Sequence, residues 1–516
     1  MKKFFNRKEA EGAKIFKKRR KSWITFFCAL ILVSCAPTPL PTPYNPPTPI
    51  LSHPPTIFDV EILSPASAAR LQDPRPNLIF IFTDDQPYHT VDYMPTVKNE
   101  LMAKGVIFEN AFATTPLCCP SRASILSGQY VHNHEVYTNT LPLGGATRFD
   151  DTEALSLWIL DAGYRTGYFG KYLNAYEDLQ PYGYVPPGWD VWKSFLSKNL
   201  TTVEDKGNMQ YYFDFSMSEN GMPVVYEKSK DNFSADVVTR NALEFIRDSR
   251  DKPFMMMVSY YNPHSPYISA PRHRNSFRAG EDYWDWVQYR PPSFNEEDIS
   301  DKPDYIAELS PLSPEEIDTA HKQILRSLLS VDDGVASVLA ALEKAGIKDN
   351  TVIIFSTDNG LTLGDHRFGA TKNCPYEACL KIPFVVYAPK YYQPRTEKKF
   401  AANIDIAPTF AELTGAKIPD TVDGMSLVPL LNDPAVKWRD AILLEHWPTN
   451  EGVGSIIPEF YSIRTMEWKY TEYNTGETEL YDLVNDPYEL RNLSGKWDYK
   501  EIESELAARL LLLKQE

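Results

Sequence analysis

Three stretches of this chain are apolar at nearly every position and then turn abruptly polar. Residues 77–83 (N-L-I-F-I-F-T), 253–259 (P-F-M-M-M-V-S) and 351–357 (T-V-I-I-F-S-T) lack the alternation of a half-exposed strand and read as strands buried on both faces. Shorter strands are predicted at 106–108 and 165–169. Between them the apolar spacing becomes helical. Residues 94–104 open with Pro95 and close at Gly105, and residues 155–162 keep one apolar face and stop at Gly163. Ser313-Pro314-Glu315-Glu316 is a capping box with proline at the first helical position. It opens a long helix carrying Ile317, Leu325, Leu328, Leu329, Val335, Val338, Leu339 and Leu342, which ends at Gly346. Helix followed by strand, repeated, predicts an α/β fold with a mostly parallel sheet sandwiched by helices. Residues 182–233 are aromatic and irregular and read as a substrate-side insertion. After Leu431 the texture changes to short strands at 442–445, 461–464, 468–473 and 479–483, with a hairpin turn at Asn474-Thr475-Gly476 and a final amphipathic helix at 502–513. This predicts a small α+β subdomain.

The polar residues that end the buried strands carry the candidate chemistry. They are Asp84-Asp85, Lys171, His264 and Asp358-Asn359. Ligands of parallel α/β sheets gather beyond the carboxyl ends of the strands. Three carboxylates and an amide oxygen there suit a hard divalent cation, and calcium fits an oxygen-only set. Asp332-Asp333 is a useful contrast, because this acidic pair sits inside a helical pattern with no strand before it and reads as structural. Residues 117–128, L-C-C-P-S-R-A-S-I-L-S-G, place two thiols at the start of a helix, with Arg122 positioned to meet an anion. The plain alternative is a pair of buried cysteines.

With 516 residues, 43% hydrophobic and 24% charged, there is ample core for one large domain and a smaller one. The formal net charge of -16 argues against nucleic acid as partner. It does not exclude an anionic substrate, because a few cations in a cleft outweigh a field screened over about 8 Å. Residues 1–21 are basic and 23–33 apolar, too short a run to span a bilayer, which predicts a secretory signal. Leu32-Val33-Ser34-Cys35 resembles a bacterial lipobox with Cys35 as the lipidated residue; a plain signal cleaved nearby is the alternative. Prolines crowd residues 36–56 and predict an extended tether. The expected organisation is a signal with lipobox (1–35), a Pro-rich tether (36–73), a catalytic domain (74–431) and a C-terminal subdomain (432–516), in an exported, membrane-anchored protein on the cell surface or periplasmic side. Of six cysteines, Cys28 and Cys35 belong to the export region. Cys118, Cys119, Cys374 and Cys379 are too few for a disulfide framework. Cys374 and Cys379 are near enough in sequence to bridge, and spacing alone does not decide it.

Several strings together resemble type I sulfatases of the alkaline phosphatase superfamily over residues 75–513. They are L-C-C-P-S-R-A-S-I-L, Y-V-H-N-H from Tyr130, G-K-Y-L-N from Gly170, P-H-S-P from Pro263, L-S-V-D-D from Leu329, N-I-D-I-A-P-T from Asn403 and D-G-M-S-L from Asp423. Within the family the chain is most similar to N-acetylglucosamine-6-sulfatase and related glycosaminoglycan sulfatases. The resemblance implies an alkaline phosphatase-like mixed sheet and hydrolysis of a sulfated saccharide. It implies oxidation of Cys118 to formylglycine (3-oxoalanine) by a formylglycine-generating or anaerobic sulfatase-maturating enzyme, with Cys119 left as a thiol. Its metal site carries over to Asp84, Asp85, Cys118, Asp358 and Asn359, with Ca2+ as the ion. Its sulfate-binding cations carry over to Arg122, Lys171 and Lys372, and its leaving-group acid to His264. Many sulfatases read G-K-W-H where this chain has Leu173, so a second acid/base role is open, with His132, His134 or Asn174 as possible substitutes. His366 matches a recurrent family string and is expected to support the site from outside it.

A sulfate ester in which charge grows on oxygen calls for preformed cations. A hydrated aldehyde sulfated on one hydroxyl can release sulfate by C–O cleavage when its second hydroxyl is deprotonated, which restores the aldehyde, whereas a serine would keep a stable sulfate ester. Arg165 starts a strand and is expected to face solvent or a carboxylate, and Lys104 and Lys322 read as helix-surface charges. Tyr184, Trp189, Trp192, Trp284 and Trp286 read either as a sugar-stacking wall or as packing. Two other readings are a phosphonate or phosphate ester hydrolase using the same aldehyde, and a silent sugar-binding protein whose Cys118 stays a thiol.

Overall fold

Strand β1 (Asn77–Asp84) is buried at every one of its positions, and its alternate side chains enter two different cores. Ile79 and Ile81 face one, Leu78, Phe80 and Phe82 the other, as the two-residue side-chain period of a strand requires. The computed structural model describes residues 55–58, 74–179, 183–196, 211–249, 251–277, 288–449 and 456–515. The expected signal with Cys35, and Trp284 and Trp286, lie outside the described residues.

β1 is central in a ten-stranded sheet. The order is β10 (Arg395–Ala402), β2 (Val106–Phe112), β9 (Val385–Tyr387), β8 (Thr351–Thr357), β1, β7 (Phe254–Pro263), β3 (Arg165–Gly170), β4 (Val191–Leu196), β5 (Phe215–Glu219) and β6 (Met222–Tyr226). The centre, from β8 through β1, β7 and β3 to β4, is parallel, whereas β9 runs antiparallel to both its neighbours and β5 and β6 form an antiparallel edge. The sheet is mixed and mostly parallel, as expected. Residues 182–233 depart from the expectation, because β4, β5 and β6 extend the main sheet rather than forming an irregular insertion. Their pattern hid this: β6 is exposed or half-buried throughout, and an edge strand need not be apolar. Trp192, fully buried, packs on Tyr168, Tyr172 and Tyr176 at centroid distances of 4.9–5.4 Å, so it is core and not a sugar platform.

One face of the sheet is covered by α3 (Ser234–Ser249) and α4 (Pro314–Lys344), the other by α1 (Cys118–Ser127), α2 (Leu155–Asp161) and α5 (Ile406–Thr414). Ser313 Oγ accepts the Glu316 N–H at 3.3 Å, which starts α4 at the capping box read from the sequence. The acidic pair in α4 is structural. Asp332 accepts the N–H groups of Thr96 and Val97 at 3.0 and 2.9 Å, and Asp333 binds Arg272 at 2.6 Å and His273 at 2.7 Å. The helix expected at 94–104 is present as a shorter π-helix at Val97–Met102, preceded by a 3-10 turn at Tyr88–Tyr93, and the N–H donors of Thr96 and Val97 at its start point to Asp332.

The C-terminal region forms an antiparallel sheet of β11 (Ala441–His446), β12 (Phe460–Thr465), β13 (Trp468–Tyr473) and β14 (Thr478–Asp482), followed by α6 (Lys500–Leu513). Its inner side chains share cores with the main body. Ile442, Leu444 and Phe460 pack with Phe112, Phe400 and Cys379, and Leu443, Leu506 and Leu510 with Tyr130, Ala402 and Ile404.

Candidate active site

The ends of β1, β8, β3 and β7 bring the expected residues together. Beyond β1 the chain turns at Asp85, whose φ of 60° is left-handed, a conformation aspartate tolerates better than most residues. Asp358 and Asn359 follow β8 and are fully buried. The two ends are cross-tied: the Asp85 N–H donates to Asp358 Oδ1 at 3.1 Å and Asn359 Nδ2 to Asp85 Oδ1 at 2.8 Å. β3 ends at Gly170 with φ 112°, where an added Cβ would lie 1.8 Å from the Ser259 carbonyl oxygen. Only glycine passes there, and the Lys171 N–H then donates to that same oxygen at 3.0 Å. His264 directly follows β7.

Helix α1 starts at Cys118 itself. Its sulfur lies 3.2 Å from Asp84 Oδ1 and 3.8 Å from Asp85 Oδ1, and Lys372 Nζ donates to it at 2.7 Å. Lys372 also donates to Asp85 Oδ1 and Oδ2 at 2.7 and 2.9 Å, and Lys171 Nζ pairs with Asp84 Oδ2. His264 Nε2 is 3.5 Å from Asp85 Oδ2, while Nδ1 is held between the Tyr261 hydroxyl at 2.7 Å and the Ser265 carbonyl at 2.9 Å.

Arg122 is tied mainly to the protein itself, with Nη2 left without a hydrogen-bond partner among the described residues. The side chain is 2% exposed; Nε donates to Asp358 Oδ2 at 2.8 Å, and Nη1 donates to the Lys171 carbonyl at 2.7 Å and Ser259 Oγ at 2.8 Å. Nη2 is 3.3 Å from Asp84 Oδ2. Its guanidinium is a clamp that sets the acids and Lys171 relative to α1.

The protonation states follow from burial and these neighbours. Burial opposes ionisation of Asp84 and Asp85, yet Lys171 with His264 and Arg122, and Lys372 with His264, hold the two carboxyls below their usual range. Asp358 is pushed up to about 6 by burial and by Asp84, against the pull of Arg122. Burial and Asp84 raise the Cys118 thiol well above its ordinary value, so as a thiol it is a weak nucleophile. Burial lowers His264 despite Asp85. Cys119 is fully buried, its thiol pushed up to about 12, and its side chain belongs to the core beneath α1.

The donor set fits a hard cation. The ligand atoms of Asp84, Asp85, Cys118 and His264 all lie within 4.8 Å of one another. Asn359 Oδ1 is buried with no hydrogen-bond partner among the described residues, as an oxygen kept for an ion would be. Asp358 borders the cluster, its Oδ1 accepting the N–H groups of Asp85 and Asn359 and its Oδ2 the Nε–H of Arg122, which leaves Oδ2 a lone pair for an ion.

A family profile described as Sulfatase matches residues 76–416, and one described as N-sulphoglucosamine sulphohydrolase, C-terminal, matches residues 364–516. The chain belongs to the sulfatase family. It is 30% identical to the N-acetylglucosamine-6-sulfatase of Capra hircus over 496 residues, 85% of this chain and 83% of that one. It is 33% identical to an extracellular sulfatase SULF-1 homolog of Drosophila melanogaster over 72% of this chain but only 33% of that one, so it spans about a third of that relative's length. The chain likewise spans about half, 53%, of a putative extracellular sulfatase Sulf-1 homolog of Caenorhabditis elegans. Among solved structures, a protein in complex with its substrate D-glucosamine-2-N,6-O-disulfate is 25% identical, with a TM-score of 0.68 over 86% of this chain and 98% of that one.

In this member of the sulfatase family, the histidines considered in place of Leu173 are engaged elsewhere. His134 shares a hydrogen bond with Ser124 Oγ at 2.9 Å, and His132 Nδ1 meets Glu445 at 2.9 Å. Leu173 itself is core; the Asn174 backbone carbonyl accepts the Ala146 N–H, and its side-chain Oδ1 is buried with no hydrogen-bond partner among the described residues. His366 binds Glu296 at 2.6 Å and stacks on Tyr376 at 4.0 Å, which is a packing role. Arg165 meets Ser249 and the Phe245 ring rather than a carboxylate. Cys374 and Cys379 are disulfide-bonded, which ties down the chain next to Lys372. Sequence reasoning missed Ser259 and Tyr261, which orient Arg122 and His264. It also missed Asn403, which accepts the Thr114 N–H at 3.0 Å and donates to Ser121 Oγ at 2.9 Å. Only the string around Asn403 was a visible signal.

Proposed function

We propose that this protein is a sulfuric ester hydrolase that removes sulfate from a sulfated carbohydrate, with 6-O-sulfated N-acetylglucosamine of a glycosaminoglycan as the leading substrate. The observation that carries the reading is the position of Cys118, at the start of α1 and within reach of Asp84, Asp85 and Lys372. A thiol whose ionisation is this strongly opposed is poor chemistry, whereas an oxygen nucleophile on the same carbon would sit among charges suited to it. The nucleophile proposed is therefore formylglycine made from Cys118 by a maturating enzyme, which supplies a hydroxyl in its hydrated form.

Asp84, Asp85, Asp358 and Asn359, with the residue at 118, are the proposed holders of Ca2+. Such an ion supplies Lewis-acid stabilisation of sulfate oxygens and acidifies the attacking hydroxyl. Three buried acids and the cations Arg122, Lys171 and Lys372 sum to zero charge, so a divalent ion brings the site to the positive charge that an anionic ester needs. Lys171 and Lys372, the two ammonium groups of the cluster, bind sulfate oxygens. His264 protonates the leaving oxygen through Nε2, with Tyr261 and Ser265 fixing Nδ1, a contribution of about 10²- to 10⁴-fold. Export and a lipid anchor at Cys35 complete the reading; the Cys374–Cys379 disulfide supports an oxidising compartment.

Two measurements test this. Peptide mass spectrometry after co-expression with a maturating enzyme is expected to find aldehyde at Cys118 and thiol at Cys119. A panel of sulfate, phosphate and phosphonate esters, including defined sulfated mono- and disaccharides, is expected to give turnover of sulfated sugars; turnover confined to phosphorus esters overturns the proposal.

A further inference from the structure

Between the charged cluster and solvent lies a cleft of about 220 Å³, floored by His264, Lys372 and Asn373 and walled by residues 138–143. The wall is preformed. Tyr137 N–H donates to the Leu143 carbonyl at 2.8 Å and Gly145 N–H to the Thr138 carbonyl at 3.0 Å, closing the loop on itself. At Gly144 a Cβ would fall 1.7 Å from the Thr138 oxygen, so the loop closes only on glycine. Ala146 N–H then ties it to Asn174, close to Lys171.

Two carboxamides face this space. Asn139 Oδ1 accepts the Cys119 N–H at 2.9 Å, which fixes the orientation of the amide and turns Nδ2 the other way, with no partner among the described residues. Asn373 is 5% exposed, and its Oδ1 is buried without a hydrogen-bond partner among the described residues. Its φ of 76° holds the side chain beside Lys372, and the Asn373 N–H is anchored on the Pro116 carbonyl at 3.0 Å. A buried amide oxygen left unsatisfied, as at Asn373, is costly unless a ligand completes it, whereas Asn139 is half-buried and offers a donor. At the rim, Leu141 and Leu143 are 57% and 47% exposed and offer an apolar surface above the polar floor.

We propose that Asn139 and Asn373 are specificity-determining residues that hydrogen-bond the ring oxygens and hydroxyls of the alcohol half of the ester, so that the cleft selects a sugar sulfate over an aryl sulfate. This rests on the sulfatase reading, in which the leaving alcohol lies beside His264. An amide offers a donor and an acceptor, which matches a hydroxyl, and a phenol ester presents no hydroxyl to either residue.

The test compares kcat/KM for the best sugar sulfate of the panel with kcat/KM for 4-nitrophenyl sulfate, in matured full-length protein. Asn373→Gly removes the amide while suiting the positive φ, and Asn139→Asp keeps an oxygen for the Cys119 N–H while removing the donor. Each is expected to lower the sugar-to-aryl ratio about tenfold, the effect of one lost hydrogen bond. The ratio is read on the active fraction, so partial misfolding cancels. A ratio within twofold of wild type in both variants overturns the inference. So does wild-type protein that cleaves the aryl sulfate and no sugar sulfate, a result that leaves sulfate ester hydrolysis standing. Wild-type protein that cleaves no sulfate ester sinks the sulfatase reading itself.

Discussion

Asp84 and Asp85 are adjacent in the chain yet serve different partners, because the left-handed turn at Asp85 swings its carboxylate to Lys372 and Asn359 while Asp84 stays with Lys171 and Arg122. Replacing one acid with its amide leaves a buried cation short of its counter-charge and the ion short of a ligand. Asp84→Asn is therefore expected to bind less than one equivalent of metal by elemental analysis and to lose at least about 10³-fold in kcat/KM. Cys118→Ala is expected to abolish turnover and to melt near wild type, since the sulfur makes no core contact that alanine destroys; near-normal activity would falsify the nucleophile assignment. A titration outside the site gives a separate check. His446 is 1% exposed with both ring nitrogens unpartnered among the described residues, and burial holds it at about 3. A histidine whose folded value lies below its unfolded value of about 6.5 contributes its full stability above pH 6.5 and loses it as pH falls toward 3. His446→Phe is thus expected to gain about 2 kcal/mol relative to wild type between pH 8 and pH 5, read from denaturant unfolding at the two pH values.

Helix α1 has no side-chain cap of its own at Leu117, and the amide of Asn139 supplies an acceptor from a separate loop. Cys118, the cleft wall and the Lys171 turn are therefore mechanically one unit. On the opposite side the disulfide closes a separation of 5 residues and restrains the segment that carries Lys372. So short a loop confers about 2 kcal/mol in the chain-entropy account. The Cys374→Ser/Cys379→Ser pair is expected to lose about that much stability and to raise KM for sulfate esters more than it lowers kcat; unchanged KM would show that Lys372 does not depend on the bridge. Element boundaries were most legible where the pattern is distinct: β8 and β13 occupy the predicted residues, while β4, β5 and β6 were not recognised, β6 because an edge strand carries mixed polarity and β4 and β5 because their apolar and polar residues are interspersed.

Across the whole molecule, the four-stranded sheet does not have a core to itself. Phe112 and Phe400 of the main sheet share one cluster with Ile442, Leu444 and Tyr481, and the Arg464–Glu377 ion pair and the hydrogen bond from Lys469 Nζ to the Pro375 carbonyl cross the same boundary. Splitting the two would expose this apolar surface. Scanning calorimetry of the full chain is expected to show one unfolding transition, and two well-separated transitions would contradict the shared core. The same boundary places β11 behind Thr114, whose carbonyl accepts the Glu445 N–H, so the C-terminal sheet supports the approach to α1.

The sequence by itself determined the α/β class, the strand ends that carry acids, and the membership of Cys118, Lys171, His264, Lys372, Asp358 and Asn359 in one site. Uniform burial and short recurring strings are local properties, and a linear pattern records them directly. Tertiary structure decided what depends on direction. Arg122 became a clamp because its donors meet Asp358, Asp84 and Ser259 from three different elements, and His132 and His134 turned to Glu445 and Ser124. Asn139 and Asn373 came to line the cleft although nothing in their neighbours' polarity sets them apart. Hydrogen-bond direction and the closing of loops are fixed only when distant segments pack, which is why those assignments could not be read along the chain.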